Sequence, residues 1–143
     1  MELFESITDV FDIKEPDLRT YSPLAFAFLG DCVFDIVIRS IEVAKANTQP
    51  AKLHKKKADI VKASTQAAII DSLEDSLTEE ELAVYKRGRN AHTNSRAKNS
   101  TDLDYHKATG FEALLGYLYM MNQTDRILDL IKTGLNNLYG EQG

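Results

Sequence analysis

The 143-residue chain has one cysteine, no tryptophan and only three prolines. A single Cys32 permits no internal disulfide, and such a chain fits a reducing compartment. As a nucleophile Cys32 needs an adjacent base; none stands beside it in sequence, so it reads as a buried core thiol. The N-terminal MELFESITDV is acidic and lacks the basic start of a secretory leader, which makes the cytoplasm the expected location. No uncharged apolar run reaches membrane length, so no membrane partner is expected. Segments of strand period and internal repeats are also missing, which leaves the all-α class. At this length we expect one domain over residues 1–143, of five to seven helices, with a core of its own.

Two dense apolar stretches stand out. Residues 23–43, PLAFAFLGDCVFDIVIRSIEV, follow a capping Ser22 and begin with a proline suited to a first helical turn. Their apolar residues lie on nearly every face, the pattern of a buried central helix. Yet Asp31 and Asp35 sit in the middle, and a buried Asp must be paired, protonated or bound to a metal. Residues 108–121, ATGFEALLGYLYMM, pose the same problem with Glu112. Each acid has a glycine nearby, Gly30 before Asp31 and Gly116 one turn after Glu112. Glycine inside a helix costs ~1 kcal/mol against alanine, so a packing reason is expected: two helices crossing closely at the glycines. That crossing brings two carboxylates together, and they repel unless a proton or cation sits between them. A divalent cation with oxygen ligands fits best.

The net charge of −5 argues against a polyanion-binding protein, but the charge is uneven. Residues 52–62 and 86–107 each carry a net +4, leaving −13 for the rest. Basic patches bind polyanions whatever the net charge. The plainer alternative is two solvated helix faces; both segments together, with acids in the core, favour binding.

In chain order, a short helix is expected over about Glu2 to Phe11, then an irregular link. The central helix should run to about Ala46, and residues 51–75 should form one helix with lysines in its first half. His54, among those lysines, has no partner at metal-ligand spacing. Thr78 and Glu81 form a capping box for a helix to about Arg87. Residues 92–104, HTNSRAKNSTDLD, read as a polar loop in which Arg96 and Lys98 suit phosphate contacts. A second core helix spans 107–122, and Thr124 caps a last helix to about Leu138, closed by Gly140.

LAFAFLGDCVFD (24–35) resembles the signature segment of the ribonuclease III family, and ATGFEALLGYLYM (108–120) resembles that family's second motif. KRGRNAH and the loop after it match the short Mini-III subgroup, a lone catalytic domain without the double-stranded-RNA-binding domain. The resemblance covers roughly residues 20–140. It implies a ribonuclease III-type helical domain acting as a homodimer, with two sites cutting opposite strands of an RNA duplex. It also implies Mg²⁺-assisted hydrolysis, with Mn²⁺ as a substitute, leaving 5′-phosphate and 3′-hydroxyl ends. Asp31 and Glu112 become the catalytic metal ligands. The implied role is maturation of the large-subunit (23S) ribosomal RNA precursor, with a ribosomal protein on the substrate as a further partner. Lys55, Lys56, Arg87, Arg89, Arg96 and Lys98 are the candidates for holding RNA, whose A-form duplex is read mostly by shape and backbone.

The chain departs from the full-length ribonuclease III pattern where that pattern has further acids: Ala27 and Leu24 precede Asp31, and Thr109 precedes Glu112. The metal would rest on two carboxylates, which Mg²⁺ accepts because it keeps several waters. Asp35, one turn after Asp31, is a candidate second-shell acceptor or a salt-bridge partner of Arg39. The missing acids motivate an alternative, an inactive RNA-binding or ribosome-assembly factor. A third reading, a helical interaction module without nucleic acid, leaves the basic segments unexplained.

Overall fold

The computed structural model describes residues 1–45, 63–91 and 102–140. Six α-helices lie among the described residues: α1 (Leu3–Val10), α2 (Pro23–Lys45), α3 (Ala63–Leu73), α4 (Glu79–Arg89), α5 (Asp102–Met120) and α6 (Thr124–Tyr139). Short 3-10 turns at Leu18–Thr20 and Glu74–Ser76 join them, and no strand occurs among the described residues. The all-α expectation holds.

The ends of the helices follow local chemistry. The Ser22 hydroxyl accepts the Leu24 N–H (3.1 Å) ahead of Pro23. The expected capping box closes α4: Thr78 Oγ1 accepts the Glu81 N–H (3.1 Å) and a Glu81 carboxylate oxygen accepts the Thr78 N–H (2.9 Å). Gly140, at φ +78°, ends α6 in the left-handed region. Two ends differ from expectation. Gln123, not Thr124, is the N-cap of α6; Thr124 Oγ1 instead donates to the Glu2 carboxylate and ties α1 to the start of α6. Asp102–Asp104, read as loop, form the first turn of α5, where their charge complements the helix dipole.

The helix buried on nearly all sides is α5, not α2. Phe111, Ala113, Leu114 and Leu115 are fully covered, and α5 packs on α2, α3, α4 and α6. On α2 only one face is buried, by Phe26, Val33, Phe34 and Ile38, while Phe28 (82%) and Ile36 (60%) stand in solvent. All-round apolarity has two causes that a sequence shows identically: complete burial, as in α5, or a second apolar face left uncovered in the single chain, as in α2. Cys32 lies on that exposed side, so the buried-thiol expectation is wrong. Phe34 and Phe111 lock the α2–α5 contact with an edge-to-face pair, centroids 5.7 Å apart, adding about 0.5–1.5 kcal/mol beyond burial.

Candidate active site

Gly30 and Gly116 do meet at the α2–α5 crossing. A Cβ on Gly30 would fall 2.6 Å from the Glu112 carbonyl carbon and 2.8 Å from the Gly116 nitrogen, and one on Gly116 would fall 2.7 Å from the Phe26 carbonyl carbon. Backbone therefore touches backbone, closer than any side chain allows. A second such approach, not seen in the sequence, sets α4 on α5: a Cβ on Gly88 would lie 2.9 Å from the Gly110 Cα.

The first crossing sets the acids. Glu112 is half-buried, and the Asp31 carboxyl, exposed at the mouth, is within hydrogen-bonding reach of it. The expectation that Asp31 is buried is thus corrected: it lies at the edge of the open α2 face. Burial, then the hydrogen bond and the charge of Asp31, push the Glu112 carboxyl up to about 9. Near neutral pH it keeps its proton in the metal-free protein.

Two carboxyls in contact hold a shared proton or a cation. Their hard oxygens and outward-facing Asp31 fit a cation such as Mg²⁺, which binds through one or two carboxylates and retained waters. Among the described residues no group of three or more His, Cys, Asp or Glu stands together, so the candidate centre is a pair. Ala27 and Thr109, at positions where the full-length family pattern has further acids, are buried, and the Thr109 hydroxyl donates to the Tyr105 carbonyl (2.9 Å) of its own helix. Asp35 forms the expected ion pair with Arg39 (3.1 Å).

Of the basic candidates, Lys55, Lys56, Arg96 and Lys98 lie outside the described residues, as does His54. Arg87 is exposed and reaches the Tyr21 carbonyl (3.2 Å) beside the start of α2. Arg89 is half-buried; its guanidinium lies over the Tyr85 ring, 5.5 Å from the centroid, and 4.0 Å from the Glu74 carboxylate. Residues two positions apart on a helix point about 200° apart, so these arginines do not share a face.

The sequence reading missed a clamp. Arg126 holds Glu81 through two nitrogens (2.7 and 2.8 Å) and also reaches the Ser76 carbonyl (3.2 Å) and Asp129 (2.7 Å). The signal was a lone arginine in the first turn of α6, where its charge opposes the helix dipole and calls for an acidic partner.

The family model described as the ribonuclease III domain matches residues 24–123, the stretch holding both acids and both glycines. Mini-ribonuclease 3 of Clostridium tetani is 42% identical over 131 residues, 91% of this chain and 86% of that protein. Mini-ribonuclease 3 of Brevibacillus brevis is 41% identical over 128 residues, 90% and 94% of the two chains. The crystal structure of protein FN1578 from Fusobacterium nucleatum superposes with a TM-score of 0.77 at 29% identity, covering 85% of this chain and 93% of that one. The fold is thus that of a ribonuclease III-type domain. The chain belongs to the Mini-ribonuclease 3 branch of the ribonuclease III family and is an endoribonuclease, a hydrolase acting on RNA. Among the described residues no helix is long and apolar enough to cross a membrane.

Proposed function

We propose that the chain is a Mg²⁺-dependent, cytoplasmic endoribonuclease that cuts double-stranded or structured RNA, leaving 5′-phosphate and 3′-hydroxyl ends, and that it matures the 23S ribosomal RNA precursor. The observation that carries the chemistry is the Asp31–Glu112 carboxyl pair, held together by a backbone-to-backbone helix crossing. Asp31 and Glu112 would hold the cation, Mg²⁺ or in its place Mn²⁺. When bound, the ion activates water and neutralises charge developing on the phosphate. Glu112 would have to lose its proton to act as a ligand, and the rigid crossing would keep its carboxyl and that of Asp31 adjacent. Asp35 would orient the surroundings of Asp31 through Arg39.

The substrate would be gripped by phosphate contacts from Lys55, Lys56, Arg87, Arg89, Arg96 and Lys98. Arg87 has the most support, being exposed; Arg89 would have to leave Tyr85 and Glu74. The open apolar side of α2 supports a homodimer: Phe28, Cys32 and Ile36 follow each other at one-turn spacing and are all exposed. Such a pairing places Asp31 of each subunit beside the interface, which suits cuts on opposite strands. A ribosomal protein on the substrate completes the set of partners.

The test is a long RNA duplex incubated with Mg²⁺ and with EDTA, beside Asp31→Asn. Mg²⁺-dependent fragments with 5′-phosphates, absent from the variant, are expected. Full activity in Asp31→Asn would overturn the metal assignment. Binding without cutting, across metals and structured ribosomal RNAs, would favour the assembly-factor reading that the missing acids at Leu24, Ala27 and Thr109 motivate.

A further inference from the structure

A concavity of about 750 Å³ opens between α1, the link after it and the C-terminal end of α5; neither Asp31 nor Glu112 lines it. Its apolar lining is Phe4, Leu18, Tyr117 and Met120, with Ile13 (53%) and Met121 (40%) exposed at the mouth. Its charged lining is Glu5, Asp9, Asp12, Glu15 and Asp17. The basic side chain among these is Arg19, and both Asp17 oxygens already hold it at 3.0 Å. Met1 lines the cleft too and brings the positive α-amino group, yet the acids outnumber the cations, so the cleft joins apolar side chains to a net negative lining.

Its walls are fixed before anything enters. Asn122 Oδ1 accepts the Glu5 N–H (3.1 Å), and Phe4 packs edge-to-face on Tyr119 with centroids 5.5 Å apart. The chain leaves α1 through Asp12 and leaves α5 through Asn122, both left-handed at φ +53° and +58°. Both residue types tolerate that conformation, which turns the backbone sharply at each side of the opening. A preformed cleft loses little conformational freedom on binding.

RNA phosphates are repelled by such a lining. A small polyvalent cation would answer the acids but leave the apolar side chains uncovered, and Val10 (76%) and Phe11 at the end of α1 are exposed as well. Charge and hydrophobicity are answered together by a polypeptide. We propose that this cleft docks a lysine- and arginine-rich protein segment whose apolar side chains enter between α1 and α5 while its basic residues meet the acids of the lining. Segments of that composition are common in proteins that themselves bind nucleic acid, so the partner can sit on the RNA while touching this face. The proposal is independent of how the RNA is cut.

The experiment titrates the full chain with three synthetic peptides, read by fluorescence anisotropy at two salt concentrations. In one, lysine and arginine alternate with leucine; in the second every leucine is serine; in the third every basic residue is glutamate. The expected order is binding by the first, at least tenfold weaker binding by the second, and none by the third. Asp9→Lys with Glu15→Lys, and separately Met121→Ser, should each weaken the first peptide at least tenfold while duplex cleavage and thermal melting stay at wild-type level. Equal affinity of wild type and both variants would overturn the proposal, since the peptide would be bound elsewhere. Full displacement by spermidine would overturn it in favour of a simple polycation site. A change in sedimentation coefficient with Met121→Ser would overturn it in favour of a contact between copies of this chain.

Discussion

Asp31 and Glu112 come within hydrogen-bonding reach because Gly30 and Gly116 let α2 and α5 touch through their backbones. The acids are on different helices, 81 positions apart in the chain, yet their relation is set by two residues without side chains. A methyl group at Gly30 has nowhere to go, since the atoms it meets belong to backbone. Gly30→Ala should cost at least the ~1–3 kcal/mol usual for overpacking and part the two acids. Urea denaturation reads the first effect and duplex cleavage the second; a variant with wild-type midpoint and rate would show that the crossing can open without consequence.

The Glu112 carboxyl gives a pH dependence with a definite sign. Its ordinary value is 4.5 and its folded value about 9. The folded metal-free protein thus binds the proton more tightly than the unfolded chain does. Its contribution to stability is complete below pH 4.5 and is lost as pH rises through about 9. In EDTA, thermal melts from pH 5 to 9 should fall more for wild type than for Glu112→Gln. Added Mg²⁺ should stabilise wild type increasingly as pH rises, because the cation competes with that proton.

Arg126 and Glu81 work in the opposite direction. The arginine beside it, against some opposition from burial, holds the Glu81 carboxyl below the usual carboxylate range. Stability from this pair is present above pH 4.5 and is lost as pH falls through the lowered value. Arg126→Met leaves a buried carboxylate and an open capping-box neighbour. It should cost about 2 kcal/mol, less than the ~3–5 of a fully buried pair because Arg126 is still partly exposed. Chemical denaturation at pH 7 and pH 4 checks this: the difference from wild type should shrink at the lower pH.

Phe28 is 82% exposed on the open side of α2, opposite the face that Phe26, Phe34 and Ile38 bury. If two copies pair through this side of α2, Phe28→Asp places a charge in the contact. Sedimentation should then give a monomer with wild-type helicity by circular dichroism. An unchanged assembly would move the dimer face elsewhere, and a monomeric wild type would remove it.

Several features were legible in the chain itself. The capping box at Thr78 and Glu81, the start of α2 at Ser22 and Pro23, and the stop at Gly140 depend on neighbours within four residues, so local sequence determines them. The glycine beside each acid was readable too, because glycine within a long apolar helix has few other uses. The pairing of Asp31 with Glu112 followed from that, and the ion pair of Asp35 with Arg39 from their one-turn spacing.

What depended on distant partners could not be read that way. Sequence by itself determined an all-helical chain with two apolar helices, an acid in each, and a glycine to bring them together. Only tertiary structure decided that α5 is enclosed while α2 keeps an open side, that Cys32 and Asp31 face out, that Arg126 answers Glu81, and that α1 leaves an acidic cleft. Helix period specifies which residues share a face; which faces find a neighbour depends on how the other helices cross, and that is settled by backbone approach and packing across the whole domain.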